Sequence, residues 1–236
     1  MTKPLEISCM PDALNKLIGA AAQALDAWAG SPGLTTAMRS LPAMPVHLAG
    51  GAVRDALRGS SRAKDFDIFV TGDDFEWFVD RLAQYGTLAY GPFGSPRWYP
   101  GNNATYADII SVNRFENGVD RCINIDDALR QFDFTANAVA IDLRTFALHN
   151  PIGGLHDAQN SIMRCVRFDY PDEPIAPGEL LTRNEVLWLR LVHYSNILGL
   201  TLEPNTRRWV ERHASYERAA PIFAERFFPP LLKVTL

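Results

Sequence analysis

The spacing of apolar residues along the chain predicts a fold that mixes helices with short strands. Apolar residues recur every three or four positions in some segments, and alternate or cluster in short runs in others. The predicted helices cover residues 11–29, 34–40, 52–58, 75–85, 126–131, 184–198 and 204–216. The predicted strands cover residues 46–49, 66–71, 106–113, 121–125, 138–142 and 147–149. We expect SPG at 31–33 to separate the first two helices, and residues 92–103, rich in Gly, Pro and Asn, to form a loop.

The order of these elements predicts an α+β protein with two parts. Helices come first, a mixed unit of strands and helices follows, and a meander of strands precedes the last helices. The stretch YPDEPIAPGE, which begins at Tyr170, is rich in proline and reads as a connection. We therefore expect a head domain over residues 1–169 and a helical, neck-like appendage over residues 170–236.

Composition limits the classes of function that the chain can have. Its 236 residues are 47% hydrophobic and 21% charged, which is typical of a folded protein with a sizeable core. The net charge of −4 means that any contact with nucleic acid must be local. The 3 cysteines lie far apart, which favours a reducing compartment, and we expect a cytoplasmic protein. No run is apolar enough to predict a membrane span.

Other residue types with binding chemistry give weaker signals. The histidines show no metal-ligand spacing, and we interpret each as a packing or surface residue: His47, His149, His156, His193 and His213. Trp98 and Tyr99, in the predicted loop, could stack on a base or cover the core beneath the loop.

Two carboxylates at alternate positions of a predicted strand are the main candidate for chemistry. Asp65 and Asp67 should project together, while Phe66 and Ile68 face the core. Two adjacent carboxylates repel each other unless a cation lies between them. A hard divalent ion such as Mg²⁺ fits this pair, with water and phosphate oxygens as its other ligands. A solvated strand end is the alternative, since isolated D-x-D patterns are common.

A glycine pair precedes the carboxylates and predicts a phosphate-binding turn. Gly50 and Gly51 lie between a strand and a helix, where backbone N–H groups can approach a phosphate closely. Arg54 and Arg58 add cations one and two turns into the helix. The glycines, the helix start and the acidic pair together predict a site for a triphosphate and a metal ion.

These motifs resemble a known family. The segment GGAVRDALRGSSRAKDFDIFVTG, residues 50–72, resembles the signature of the DNA polymerase beta nucleotidyltransferase superfamily. Within it, the segment is similar to the class II branch of tRNA CCA-adding enzymes and bacterial poly(A) polymerases, although Arg58 stands where Leu is usual. The resemblance implies a polymerase beta-like head, with a mixed sheet and flanking helices. It also implies that Asp65 and Asp67 bind metal, and that the turn residues Gly50, Gly51 and Arg54 bind the triphosphate.

Two further segments carry the resemblance beyond this signature. DFTANAVAID, residues 133–142, is similar to the family's RRDFTINALAY segment, which implies that Asp133 and Asn137 position the ribose. Gln131 and Phe132 replace the two arginines, and Arg130 is the nearest substitute for their nucleotide contact. NPIGGLHDAQNSIMRCV, residues 150–166, resembles the segment that closes the family's head domain, and we expect it to be structural.

The chain departs from the family in the neck helix. The family reads the base with an ED-x-x-R motif, and Arg183, Asn184 and Leu187 stand at those places here, although Arg190 keeps a family-like position. We also expect the body and tail domains that hold tRNA in the family to be missing. These departures imply altered base choice.

The resemblance implies a third catalytic carboxylate on a neighbouring strand. Asp108, in TYADIISVNRF, is our prediction, because the following residues resemble the family's strand that ends in Arg. Glu116 and Asp120 are alternatives, and a solvated strand residue is an equally open interpretation of Asp108.

The resemblance as a whole implies a metal-dependent nucleotidyltransferase. An acceptor hydroxyl would attack the α-phosphate of a nucleoside triphosphate and release pyrophosphate, with Mg²⁺ or Mn²⁺ as cofactor. The expected acceptor is an RNA 3′ end. The alternatives are a protein or small-molecule acceptor, or a degenerate member that binds nucleotide or a partner without catalysis. The preferred base and the oligomeric state stay open.

Overall fold

The protein has the predicted α+β architecture in a computed structural model that describes residues 12–60, 63–91, 94–101, 105–115 and 120–232. The helices are α1 Asp12–Asp26, α2 Ser31–Ser40, α3 Gly51–Leu57, α4 Phe75–Ala83, α5 Ile125–Leu129, α6 Gly154–Gln159, α7 Arg183–Leu198, α8 Pro204–Arg212 and α9 Ala220–Arg226. The strands are β1 Val46–Ala49, β2 Phe66–Val70, β3 Thr87–Tyr90, β4 Pro96–Tyr99, β5 Ala107–Ser111, β6 Ala140–Asp142, β7 Leu148–His149, β8 Ile162–Met163 and β9 Thr201–Leu202. Short 3₁₀ helices cover Val112–Arg114, Thr135–Asn137 and Ala214–Ala219.

A mixed sheet forms the centre of the molecule. In the described part of the chain it has seven strands in the order β3-β4-β5-β2-β1-β6-β7. The pairing of β2 with β5 is parallel and the other pairings are antiparallel. One face carries the main core, which includes Leu48, Ile68 and Ile109. The opposite face carries a smaller apolar cluster around Phe69 and Leu129, and this face also bears the polar side chains described below.

The strand-helix-strand unit β1-α3-β2 forms as its sequence predicts. Its strands are short and apolar on the core side, and the glycine pair lies between β1 and α3. Asp65 lies directly before β2, and Phe66 and Ile68 are 2% and 0% exposed, so the predicted alternation holds. The aspartates therefore face away from the main core.

The predicted loop over residues 92–103 was wrong, because part of it is strand. β3 and β4 form an antiparallel hairpin at the edge of the sheet, with Leu88 opposite Trp98. Trp98 is fully buried and packs edge-on against Trp28 at a centroid distance of 5.4 Å. Burial of this indole stabilises a strand that its Pro- and Gly-rich sequence does not predict, and it excludes base stacking by Trp98.

The predicted strand over residues 121–125 was also wrong. Asn124 is the N-cap of α5, and its side chain accepts from the Asp127 amide at 3.0 Å. The Asp127 carboxylate accepts in return from the Asn124 amide, which completes a capping box. These local hydrogen bonds favour a helix start over an extended strand. The sequence also predicts a hairpin turn at Asn117-Gly118, just before this segment, and these two residues lie outside the described ranges.

The SPG segment at 31–33 begins a helix instead of breaking one. α1 ends at Asp26, and α2 starts at Ser31 with Pro32 in its first turn. A proline there costs no intrahelical hydrogen bond, because the first amides of a helix have no partner within the helix.

The last third of the chain packs against the head. Thr182 caps α7 in a capping box with Glu185, and Gly199 ends the helix with a φ of 60°. Leu189 of α7 belongs to the same apolar cluster as Leu48 of the sheet, and β8 pairs with β9 across the predicted boundary at residue 169. The division into a head and a neck stays a prediction. Within the described ranges, no helix has both the length and the apolar character needed to cross a membrane.

Candidate active site

Two aspartates face each other across the parallel pair of strands. Asp67 of β2 is the register partner of Asp108 of β5, so their side chains project from the same face. Asp65 lies just before β2, and its Oδ2 accepts a hydrogen bond from the Tyr106 hydroxyl at 3.2 Å. Burial first, and then the charges of Asp65 and Asp108, raise the pKa of Asp67 to about 7, although Arg190 acts to lower it. The three predicted carboxylates therefore repel one another, as expected where a cation is to bind.

Arg97 compensates the charge of Asp108. Its Nε donates to Asp108 Oδ1 at 2.8 Å, and its guanidinium lies 4.4 Å from the centroid of the Tyr106 ring. The two residues are register partners on β4 and β5. This ion pair was not predicted, because the residues of β4 were expected to form a loop.

The glycine turn approaches Asp67 closely. Gly50 has a φ of 72°, and a Cβ atom built there would collide with Asp67 Oδ2. Glycine is therefore required for both the backbone conformation and the contact. Gly51 follows as the first residue of α3 and does not line the cleft.

Arg54 is buried behind the turn. Its Nη1 donates to Asn137 Oδ1 at 2.6 Å, and its Nε donates to Asp55 at 2.8 Å. Its guanidinium does not line the cleft. In this structure Arg54 holds Asn137, and the expected contact of Arg54 with a triphosphate stays a prediction.

Asp133 joins the head to α7. Arg190 donates from Nε and Nη2 to Asp133 Oδ2 at 2.9 and 2.7 Å. The other carboxylate oxygen, Oδ1, accepts from Asn137 Nδ2 at 3.4 Å. Arg54, Asn137, Asp133 and Arg190 thus form one chain of polar contacts that ends near Asp67, whose pKa Arg190 lowers.

These side chains surround a cleft of about 570 Å³, a volume within the range of small-molecule sites. The predicted site residues that line it are Gly50, Asp67, Asp108, Asp133 and Asn137. Phe132 and Tyr170 contribute aromatic walls, and Arg183 and Arg190 of α7 contribute cations. The cleft therefore combines carboxylates, a glycine turn and guanidinium groups, which suits a metal-bound polyphosphate.

Other predicted positions lie elsewhere. Arg130 is exposed, donates to the Asp126 carbonyl at 3.2 Å, and does not line the cleft. Asp120 is exposed and pairs with Arg167 at 2.6 Å, so the structure does not bring this alternative third carboxylate to Asp67. Glu116 lies outside the described residues. Gln131, at one of the family's arginine positions, lines the cleft but donates to the Asp120 carbonyl at 2.8 Å.

The two arginines of α7 are cleft residues that we did not predict. Arg183 and Arg190 are seven residues apart, which places them on one side of a helix. This periodicity was visible in the sequence and could have indicated a basic face that points towards the head. Both lie where a negatively charged ligand would meet them.

The donor set fits a divalent cation. Asp67 and Asp108 present oxygen ligands from neighbouring strands, and Asp65 lies close enough to raise the pKa of Asp67. Oxygen-only ligands with an excess of negative charge are typical of Mg²⁺ sites. Assignment of metal and nucleotide roles to these residues stays a prediction.

Comparisons with known proteins agree with the motif-based resemblance. No protein-family model matches the chain. A "Multifunctional CCA protein" of Xanthomonas campestris pv. campestris is 28% identical over 201 residues, which are 81% of this chain and 45% of that protein. The chain thus spans less than half the length of this relative.

Solved structures show the same fold. A CCA-adding enzyme in complex with CTP matches 90% of this chain and 49% of its own, with a TM-score of 0.63 and 20% identity. A tRNA nucleotidyltransferase in complex with a primer tRNA and an incoming ATP analog matches 80% of this chain and 52% of its own, with a TM-score of 0.58 and 21% identity. The predicted likeness to the head of CCA-adding enzymes is confirmed, and so is the fold class.

Proposed function

We propose that the chain transfers a nucleoside monophosphate from a nucleoside triphosphate to a hydroxyl acceptor and releases pyrophosphate. The observation that carries this proposal is the register pairing of Asp67 with Asp108 beside the Gly50 turn. The relatives and solved neighbours are CCA-adding enzymes and tRNA nucleotidyltransferases, so the proposed acceptor is an RNA 3′ end. We propose that this activity takes place in the cytoplasm, because nucleoside triphosphates and RNA are both present there.

In this mechanism Asp65 and Asp67 would hold Mg²⁺ or Mn²⁺. The bound ion would neutralise charge on the phosphates as the α-phosphate is attacked. Gly50 would let the backbone approach the phosphates, since any side chain there would displace the Asp67 carboxylate. Asp108, once Arg97 releases it, would orient the acceptor hydroxyl and accept its proton.

The remaining cleft residues would hold the nucleotide. Asp133 and Asn137 would hydrogen-bond the ribose, with Arg190 and Arg54 fixing their orientation. Asn184 and Leu187 stand where the family has its base-reading aspartate and arginine, and Arg183, at the acidic position just before them, lines the cleft wall. A cation in that place favours a different hydrogen-bond pattern, and hence altered base choice, because a guanidinium only donates.

A second candidate function is nucleotide binding without transfer. The specific observation that favours it is the ion pair of Arg97 with Asp108, which occupies the third carboxylate. If Arg97 never releases Asp108, the site has one acidic group fewer for catalysis. Transfer to a protein or small molecule would use the same residues with another acceptor.

The test incubates the protein with each labelled nucleoside triphosphate, Mg²⁺ or Mn²⁺, and bulk RNA. Asp67→Asn should abolish transfer, because it removes a metal ligand and keeps the size of the side chain. Asp120→Asn is the matched control, because Asp120 is exposed and pairs with Arg167 away from the cleft.

Each outcome separates the candidates. Label in RNA that Asp67→Asn loses and Asp120→Asn keeps would support the RNA transferase and reveal its base choice. Metal-dependent binding of triphosphate with no label in RNA would contradict RNA as the acceptor. Label that persists in Asp67→Asn would contradict the proposed site.

A further inference from the structure

A second group of ligand-type side chains lies on the same face of the sheet as the cleft. His47 of β1 is the register partner of Asp142 of β6, and His149 comes from β7. These three side chains each offer one ligand atom, and the three atoms lie within 4.8 Å of one another. None of these three residues lines the carboxylate cleft, so the group is a separate place on this face.

His47 offers a lone pair in a buried place. Its side chain is 5% exposed, and its Nδ1 has no hydrogen-bond partner among the described residues. Its Nε2 lies 3.9 Å from Asp142 Oδ2, which is beyond hydrogen-bond distance. Burial, and next the nearby His149, lower the pKa of His47 to about 4, so the ring is neutral at pH 7. A buried imidazole with an unsatisfied nitrogen is unusual, because such a group costs free energy when it lacks a partner.

His149 and Asp142 are held in position by partners outside the group. His149 Nδ1 lies 2.9 Å from Asp126 Oδ1, a contact that fixes the ring and leaves Nε2 available. Asp142 Oδ1 accepts from the amides of Arg144 and Thr145 at 2.7 and 2.9 Å, which leaves Oδ2 on the side of His47. A histidine that contacts a carboxylate through its second nitrogen is the usual arrangement around protein-bound metals.

We propose that His47, Asp142 and His149 form a binding site for a divalent transition-metal ion of the Zn²⁺ type. Two imidazoles and one carboxylate suit Zn²⁺ and disfavour Mg²⁺, which prefers oxygen ligands. Three protein ligands leave a coordination position for water. The ion joins three strands of the sheet, and the contact of His149 with Asp126 links it to α5, which leads to the cleft residue Asp133.

The test is a calorimetric titration of the chelator-treated full chain with Zn²⁺. Excess Mg²⁺ is present, so that the cleft carboxylates do not contribute. The wild-type protein should bind one Zn²⁺ per chain at this site. His149→Gln should weaken that binding at least about tenfold, in line with the loss of a ligand. His156→Gln is the matched control, because His156 is exposed and lies on α6, outside the group.

A second site variant keeps the test valid if His149→Gln fails to fold. Asp142→Asn keeps an oxygen for the amides of Arg144 and Thr145 and removes the second carboxylate oxygen. Zn²⁺ should raise the melting temperature of the wild type and the control, and raise it less in both site variants. Co²⁺ substituted for Zn²⁺ should give ligand-field bands without a thiolate charge-transfer band.

Three results would overturn the proposal. The first is no Zn²⁺ binding by the wild type, which would make the group an ordinary histidine–carboxylate cluster. The second is equal affinity in the wild type, His149→Gln and Asp142→Asn. The third is a thiolate band with Co²⁺, which would assign the ion to cysteine.

Discussion

Arg97 donates from Nε to Oδ1 of Asp108 at 2.8 Å. Asp108 lies on β5 between Arg97, its register partner on β4, and Asp67, its register partner on β2. The guanidinium lies against a carboxylate whose negative charge raises the pKa of Asp67. A divalent ion bound by Asp108 would compete with Arg97 for the same oxygen atoms. In the proposed mechanism, Asp108 therefore acts only after this ion pair with Arg97 opens.

Removal of Arg97 should tighten binding of divalent ions in the cleft. In Arg97→Gln the carboxylates lose a competing cation, and we expect the affinity for Mn²⁺ to rise about tenfold at low salt. Isothermal titration with Mn²⁺ measures the change. Arg81→Gln is the control, because Arg81 lies over Trp77 on α4, outside the cleft. Weaker binding in Arg97→Gln would mean that Arg97 holds Asp108 in its metal-binding position.

The raised pKa of Asp67 predicts a pH dependence of stability. Burial, Asp65 and Asp108 raise the folded-state pKa to about 7 from an ordinary value of 3.8. The folded protein therefore binds more protons than the unfolded chain between these values, and Asp67 reduces the free energy of unfolding as the pH rises through this window. Asp67→Asn removes this effect.

We expect Asp67→Asn to stabilise the metal-free protein more at pH 8 than at pH 5, by about 1–2 kcal/mol. Urea unfolding of both proteins at the two pH values measures the difference. Saturating Mg²⁺ should reverse it at pH 8, because the ion stabilises only the ionised wild type. The same stability difference at both pH values would mean that Asp67 titrates normally.

Replacement by alanine should be far more damaging at Gly50 than at Gly51. Gly50→Ala places a Cβ against Asp67 Oδ2 at a φ of 72°, so we expect a backbone cost of about 1 kcal/mol and a loss of divalent-ion binding of about tenfold or more. In Gly51→Ala the Cβ would lie 3.5 Å from Arg54 Nη2, which is an ordinary contact, so this variant is the matched control. Thermal unfolding and Mn²⁺ titration of both variants make the comparison. Equal behaviour would show that Asp67 can move without cost to the site.

Substitution of Arg54, which supports Asn137, should affect stability and nucleotide affinity much more than substitution of Arg130, which lies on the surface. Arg54→Leu leaves the buried Asn137 Oδ1 without its 2.6 Å donor, at a cost of about 1–3 kcal/mol in unfolding free energy. Nucleotide affinity should fall with it, because Asn137 loses its orientation. Arg130→Leu should change stability by less than about 0.5 kcal/mol and leave nucleotide affinity unchanged. A large loss of affinity in Arg130→Leu would instead support the nucleotide contact that we predicted from sequence.

Much of the strand–helix–strand unit could be predicted because its signals are local. β1 coincides with the predicted range 46–49, and the glycine turn and the alternation around Asp67 lie where the sequence indicates. One local signal was misleading: the Asn-Gly pair at 117–118 predicted a strand over residues 121–125, where the Asn124 capping box instead starts a helix. The hairpin of β3 and β4 was missed because burial of Trp98 decides it, and burial depends on residues far away in the sequence.

The sequence by itself determined the chemistry of the cleft and the order of its parts. Glycine pair, D-x-D and DFTANA predict a metal and nucleotide site because backbone freedom and side-chain alternation are properties of short segments. Only the tertiary structure decided which groups meet. The pairing of Arg97 with Asp108, of Arg190 with Asp133, and of His47 with His149 depends on strand register and helix docking. Those contacts are set by the packing of segments distant in sequence, which no local pattern encodes.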